Sequence, residues 1–285
     1  MKKHLKPRRA HLAAGFAVAA MLAPFSAQAA DWTDAFVGMR YGTTFREPSI
    51  PDNIAKTILQ FQYVSGYKYG TNFFNTDVLL SNRKDPAAGG GGGATDIYVV
   101  YRHVLSMSAV TGLPLAIGPV RDFGLTAGID LQSKNDAFGS GSRSSLPRKF
   151  VAGPTVKFDV PGYLDFSVLF RTENNNNSIV GKNVTFQNSY GLELLWGIPF
   201  HLGVPAKFKG FADLIGPKGK DGFGVQTKQE FMLETALMFD VGSLYGKKDS
   251  LYVGVGYQYW HNKFGVPPGV GTKASVVQLN LEYHL

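Results

Sequence analysis

The chain has 285 residues, 34 of them glycine and 13% of them aromatic, with no cysteine and a formal net charge of +8. The lack of cysteine excludes a disulfide-stapled scaffold, so a large hydrogen-bonded framework has to hold the fold. Lys2, Lys3, Lys6, Arg8 and Arg9 cluster at the N-terminus without an acid; the remaining 24 basic residues face 21 acidic ones, and that balance of +3 holds no basic helix or stripe for nucleic acid.

The first element is a leader. After the basic segment comes an apolar stretch over 12–25 and then Ala27-Gln28-Ala29, a small-x-small cleavage site. This is the pattern of a Sec signal peptide over 1–29, with an apolar core too short to cross a bilayer as a helix. The pair Arg8-Arg9 fits the twin-arginine pattern poorly, because Ala10-His11-Leu12 follows it. Residues 30–285 then form one domain, and no stretch in them reaches the roughly 18 apolar residues of a transmembrane helix.

Period-2 alternation runs through that whole domain. Twelve runs stand out, at about 35–45, 54–65, 69–81, 95–105, 120–134, 148–159, 162–173, 183–198, 206–215, 227–240, 250–263 and 274–285. In the fifth, Phe123, Leu125, Ala127, Ile129 and Leu131 alternate with Asp122, Gly124, Thr126, Gly128 and Asp130. In the eighth, Val184, Phe186, Tyr190, Leu192, Leu194, Trp196 and Ile198 oppose Thr185, Gln187, Ser189, Gly191 and Glu193. The tenth sets Phe231, Leu233, Leu237 and Phe239 against Lys228, Glu230, Glu234 and Asp240. Most runs exceed the usual five or six residues of a globular strand and suit a tilted membrane crossing of about 9–11. An even number fits a bacterial single-chain barrel.

Connections at 46–53, 82–94, 135–147, 174–182, 216–226 and 264–273 are rich in Gly, Asn, Ser, Pro or charge and fall on the outer side. The tract Gly89–Gly93 and the run Asn174–Asn177 read as loop tips. On the periplasmic side Gly66-Tyr67-Lys68 and Val160-Pro161 are tight, whereas 106–119 is longer than the pattern explains. Val277, Leu279, Leu281, Tyr283 and Leu285 finish the sequence on an apolar face. Outer-membrane barrels end on such a strand, usually with an aromatic residue that the barrel-assembly machinery reads, and Leu285 departs from that. The pattern thus predicts an all-β, transmembrane, antiparallel up-and-down β-barrel of about 12 strands in the bacterial outer membrane, with both termini in the periplasm.

Lipid takes the apolar face, with Tyr41, Phe61, Tyr63, Tyr101, Trp196, Tyr257 and Tyr259 as girdle residues. The lumen receives Arg40, Lys56, Gln60, Asn75, Asp77, Arg102, Asp130, Lys157, Asp165, Arg171, Glu193, Lys228, Glu230 and Glu234. Such a mixed lining holds no single ionic class strongly and suits neutral solutes rich in hydroxyl and amide groups. Phe36 and Phe73 add inward aromatic faces, which stack on bases, and Tyr252 and Trp260 join them if Leu251, Val253 and Val255 face outward.

The block Gly66-Tyr67-Lys68-Tyr69-Gly70-Thr71-Asn72-Phe73-Phe74-Asn75-Thr76-Asp77 follows Arg40-Tyr41-Gly42 and precedes Tyr98-Val99-Val100-Tyr101-Arg102. With Lys209-Gly210-Phe211-Ala212-Asp213 and 216–224 later on, it resembles the Tsx-like nucleoside-specific channel family over nearly all of 30–285. The resemblance implies a monomeric twelve-stranded barrel with a narrow lumen and nucleoside sites along it, and phage or colicin binding in some members. Carried onto this chain, it points to Arg40, Asn75, Asp77 and Arg102 as substrate-binding lumen residues, with Phe36 and Phe73 as stacking candidates.

Two other readings compete. A structural or receptor-type barrel would use the same charges to fill and stiffen its lumen. An outer-membrane lipid-modifying enzyme would need a Ser and His pair; the nearest in sequence is His103 with Ser106 or Ser108, at a periplasmic end and without an evident carboxylate. No metal-ligand spacing or nucleotide fingerprint appears, and neither a cofactor nor a metal is expected.

Overall fold

The computed structural model describes residues 30–88, 90, 92–135, 145–177 and 181–285. The leader expected at 1–29 lies outside them, as do Gly89, Gly91 and residues 136–144 and 178–180. The first half of the barrel consists of β1 (Trp32–Phe45), β2 (Ile54–Tyr67), β3 (Gly70–Ser81), β4 (Thr95–Ser106), β5 (Val120–Lys134) and β6 (Leu146–Phe158). The second half begins with β7 (Tyr163–Asn177) and a short β8 (Lys182–Thr185), followed by β9 (Ser189–Leu202) and β10 (Val204–Ile215). It ends with β11 (Glu230–Asp240), β12 (Leu251–His261) and β13 (Ala274–His284).

All pairings are antiparallel between neighbours, β6 pairs with β7, and β1 pairs with β13 through contacts such as Arg40 opposite Asn280. Twelve strands therefore close into one ring, with β8 attached only to β7 outside it. Closure gives every wall strand two partners, which the hydrocarbon of a bilayer demands because it offers no hydrogen bonds to an open edge. Wall strands of 11–15 residues at about 3.3 Å per residue, tilted, span the roughly 30 Å of a bilayer core.

The pleat sorts side chains by parity. On β13, Val276 and Gln278 are 0% and 1% exposed, while Val277 and Leu279 between them are each 65% exposed. A soluble barrel would place its apolar residues inside; here they cover the outer wall and the interior is ionised.

Three sequence-based boundaries are corrected. The eighth run is two elements: β8 folds back on β7, and the wall strand starts only at Ser189. Asn188 falls on the apolar parity and breaks the alternation, and Phe186 meets the Lys218 ammonium at 4.4 Å instead of lipid. The run Asn174–Asn177 is not a loop tip; it extends β7 and pairs with β8, and the Asn175 side chain accepts from the Leu146 amide at 3.1 Å. Lys228 is exposed in the connection ahead of β11, whose first residue is Glu230. In the glycine tract, Gly93 bridges to Pro86.

The long connection between β4 and β5 also has an explanation. Ser106 caps the short helix α1 (Met107–Thr111), and Asp122 at the start of β5 gathers the segment. Its carboxylate accepts from the Ser106 hydroxyl at 2.5 Å, the Ser108 hydroxyl at 2.6 Å and the Ser108 amide at 3.1 Å.

Candidate functional site: the lumen

Inward parity places Phe36, Arg40, Phe73, Asn75, Asp77 and Arg102 in the lumen, but they do not form one cluster. Arg40 on β1 contacts Asp77 on β3 and Glu234 on β11, so its guanidinium reaches strands on both sides of its own. Gln60 donates to Asn75 at 2.8 Å and Asn75 to Asp77 at 3.1 Å, continuing the ladder along β2 and β3. Arg102 on β4 donates to Asp130 at 2.5 Å and approaches Glu193 at 3.5 Å on β9, four strands away around the ring. The lumen is therefore crossed by two charge bars, each made of one guanidinium and two carboxylates.

Register makes room for these side chains. Arg102 lies over Gly128 of β5: a Cβ there would come within 2.6 Å of its Cδ. Arg171 of β7 lies over Gly191 of β9 in the same way, at 2.8 Å. A glycine facing the pore lets a long side chain lie against the wall.

At the end of the barrel where β1 begins and β13 finishes, Phe36 is 1% exposed, with its ring 5.2 Å from that of His284 and the Lys209 ammonium 4.6 Å away. It offers no open face to a base in this arrangement. Phe73 is half-buried and opposite Arg102 in register, so it is the more accessible of the two proposed stacking residues. Tyr252 lies under Lys207 at 4.2 Å, and Trp260 donates to Glu230 at 2.7 Å.

The outer mouth holds a cluster that sequence parity could not reveal, because three of its five residues sit in connections. Glu47, in the first outer connection, accepts from Lys56 at 2.5 Å and from Lys263 at 3.0 Å, with Lys134 at 3.7 Å. Asp85, in the second outer connection, lies 3.0 Å from Lys134 and 3.5 Å from Lys56. Both carboxylates are almost fully buried, at 4% and 1% exposure. Burial alone would raise the Glu47 pKa, but Lys263, Lys56 and Lys134 outweigh it and hold the carboxyl well below its ordinary range. The Lys263 pKa is lowered by burial, with Glu47 opposing the shift. Beneath this cluster Phe45, Ile50, Ile54, Ile58, Ala274 and Val276 pack together with Leu79 and Trp260. The first outer connection thus folds inward and covers part of the mouth.

The enzymatic pairing is not assembled. His103 contacts the Asn72 side chain at 3.0 Å, whereas the hydroxyls of Ser106 and Ser108 both donate to Asp122.

A closed barrel with an apolar outer belt and an ionised, hydrogen-bonded interior is an outer-membrane β-barrel protein. No protein-family model and no curated protein matches the chain. Among solved structures it is similar to the NanC porin, at 12% identity and a TM-score of 0.48, over 87% of this chain and 100% of that one. It is similar also to the translocator domain of the autotransporter NalP from Neisseria meningitidis, at 10% identity and a TM-score of 0.43, over 94% and 92%. A third is OccK1 (OpdK) of Pseudomonas aeruginosa, at 12% identity and a TM-score of 0.30, over 89% and 98%.

Proposed function

We propose that the protein is an outer-membrane channel for the passive, selective diffusion of nucleosides or similar small polar solutes. The observation that carries this reading is the pair of charge bars, Arg40 with Asp77 and Glu234, and Arg102 with Asp130 and Glu193. Each guanidinium is already matched by carboxylates, so neither bar offers an unmatched cation to an anionic solute. They do present, at close spacing, acceptors for sugar hydroxyls and donors for base carbonyls. A solute that replaces these contacts one at a time crosses a chain of weak sites, as entry and exit both require. Asn75 and Gln60 extend the ladder, and Phe73 supplies the accessible aromatic face. The preference for nucleosides over other polar solutes rests on the Tsx-like blocks around Phe73, Asn75, Asp77 and Arg102. A monomer in outer-membrane lipid is sufficient for this function, since each lumen is complete within one chain.

The filled lumen favours a second reading, a structural or receptor-type barrel without specific transport. A liposome-swelling assay across nucleosides, deoxynucleosides and free bases separates the two. The channel reading expects graded swelling that saturates, whereas swelling equal to that of protein-free liposomes for every solute supports the second reading.

A further inference from the structure

Between the mouths, two cations on adjacent strands are poorly matched by carboxylates. Arg40, Arg102 and Lys218 each contact a carboxylate, in the last two cases at 2.5 and 2.6 Å. Lys149 of β6 does not: its ammonium lies 3.5 Å from the Tyr98 hydroxyl and 5.4 Å from the centre of that ring, and it has no ion-pair partner among the described residues. Arg171 of β7 is 6% exposed, its nearest carboxylate oxygen is 3.8 Å away on Asp130, and its Nη1, like the Nε of Arg40 and Arg102, is buried with no hydrogen-bond partner. Leaving such a donor buried and unmatched is costly, which makes it a ready partner for an incoming acceptor.

The two under-matched cations line the same cavity. Glu173, Gln187, Lys218 and Glu230 form much of the rest of its wall, and it has room for about one water-sized group. Glu173 is held by Lys218 at 2.6 Å, and Glu230 by Trp260 at 2.7 Å and the Phe264 amide at 3.0 Å. The acids of the wall are therefore committed to other partners, while Lys149 and Arg171 keep unused donors.

We infer that this cavity is a binding site for a small oxyanion, the carboxylate or phosphate end of a hydroxyl-bearing solute, held between Lys149 and Arg171. One oxygen fills the water-sized space and accepts from both cations, forming charge-assisted hydrogen bonds of the stronger kind. The remainder of the solute stays on the lumen side, where Gln187 supplies a neutral donor and acceptor. The site goes beyond the neutral-solute channel reading and does not depend on it, because binding needs no net flux.

The test is direct binding to the purified, detergent-folded protein, followed by phosphorus and carbon NMR line broadening. The probes are inorganic phosphate, gluconate as a sugar carboxylate, and glucose as the neutral control. Wild type should broaden phosphate, gluconate or both at concentrations where glucose is unaffected, and the probe that binds identifies the source of the oxyanion. Lys149→Gln removes a cation with no carboxylate partner, so it should fold and weaken binding by about tenfold, as expected for one charge-assisted bond. Arg171→Gln should weaken it similarly; if that variant fails to fold, Lys149→Gln decides the outcome. Phosphate and gluconate binding no better than glucose, or Lys149→Gln binding like wild type, would overturn the site. Absence of solute flux in liposomes with binding intact would count against the channel alone.

Discussion

Arg102 and Arg171 lie against the barrel wall because the next strand presents a glycine beneath each. At Gly191 the nearest atoms to a new Cβ all belong to the Arg171 side chain, at 2.8, 3.0 and 3.6 Å. Gly191→Ala should therefore displace that guanidinium without moving backbone, at a cost of about 1–3 kcal/mol from overpacking. Urea unfolding of the detergent-folded protein measures that cost. The two charge bars should respond differently to truncation. Asp77→Ala leaves Arg40 in contact with Glu234, so the variant should fold and alter the saturation of transport. Arg102→Ala strips Asp130 of its closest cation and Glu193 of its cross-lumen one, and should cost about 3–5 kcal/mol as a broken buried pair. If Asp77→Ala unfolds the barrel as severely as Arg102→Ala, its role is structural. Lumen parity was legible in the sequence for residues such as Asp130 and Glu193, which sit in strict alternation. Lys149, Glu173 and Glu282 share that parity but lie outside the expected lumen set; for Glu282 the alternation with Gln278 and Asn280 is the available signal. Glu47 and Lys263 carry no parity at all, because loop conformation brings them together.

At the level of elements, the outer mouth is held by Glu47 and Asp85 against Lys56, Lys134 and Lys263, from two loops, two strand ends and the turn after β12. Glu47→Gln keeps the shape and removes the charge that Lys56, Lys134 and Lys263 share. The first and last outer connections should then become more open to trypsin, with the barrel wall intact. Acid should act in the same direction. The folded pKa of Glu47 is depressed, so its contribution is complete above its ordinary 4.5 and is lost as pH falls below that towards the lower folded value. Loop cleavage by pepsin should therefore rise through that window in wild type and stay flat in Glu47→Gln; identical profiles would assign the stability of the mouth to the apolar cluster around Ile54 and Ile58 instead. Element boundaries were legible wherever alternation was unbroken, as over β5. They were misplaced where a polar residue fell on the apolar parity, as Asn188 did, or where polarity suggested a loop but backbone pairing extended the strand, as at Asn174.

For the whole molecule, closure joins β1 to β13, so the barrel wall leaves no strand edge unpaired. The sequence carried this feature most clearly: twelve long alternating runs, an even number, and an apolar final strand demand a closed wall in lipid. What it could not carry is how far the lumen is filled, since that depends on side chains from strands three or four apart meeting across the pore. The central claim is selective passage through that filled lumen. Its most direct test is uptake of radiolabelled uridine and adenosine into liposomes containing the purified protein, beside a sugar of similar size. The account predicts saturable nucleoside uptake, faster than the sugar and far faster than in protein-free liposomes. Nucleoside entry no faster than the sugar would contradict the selectivity, and entry no faster than in protein-free liposomes would contradict the channel itself.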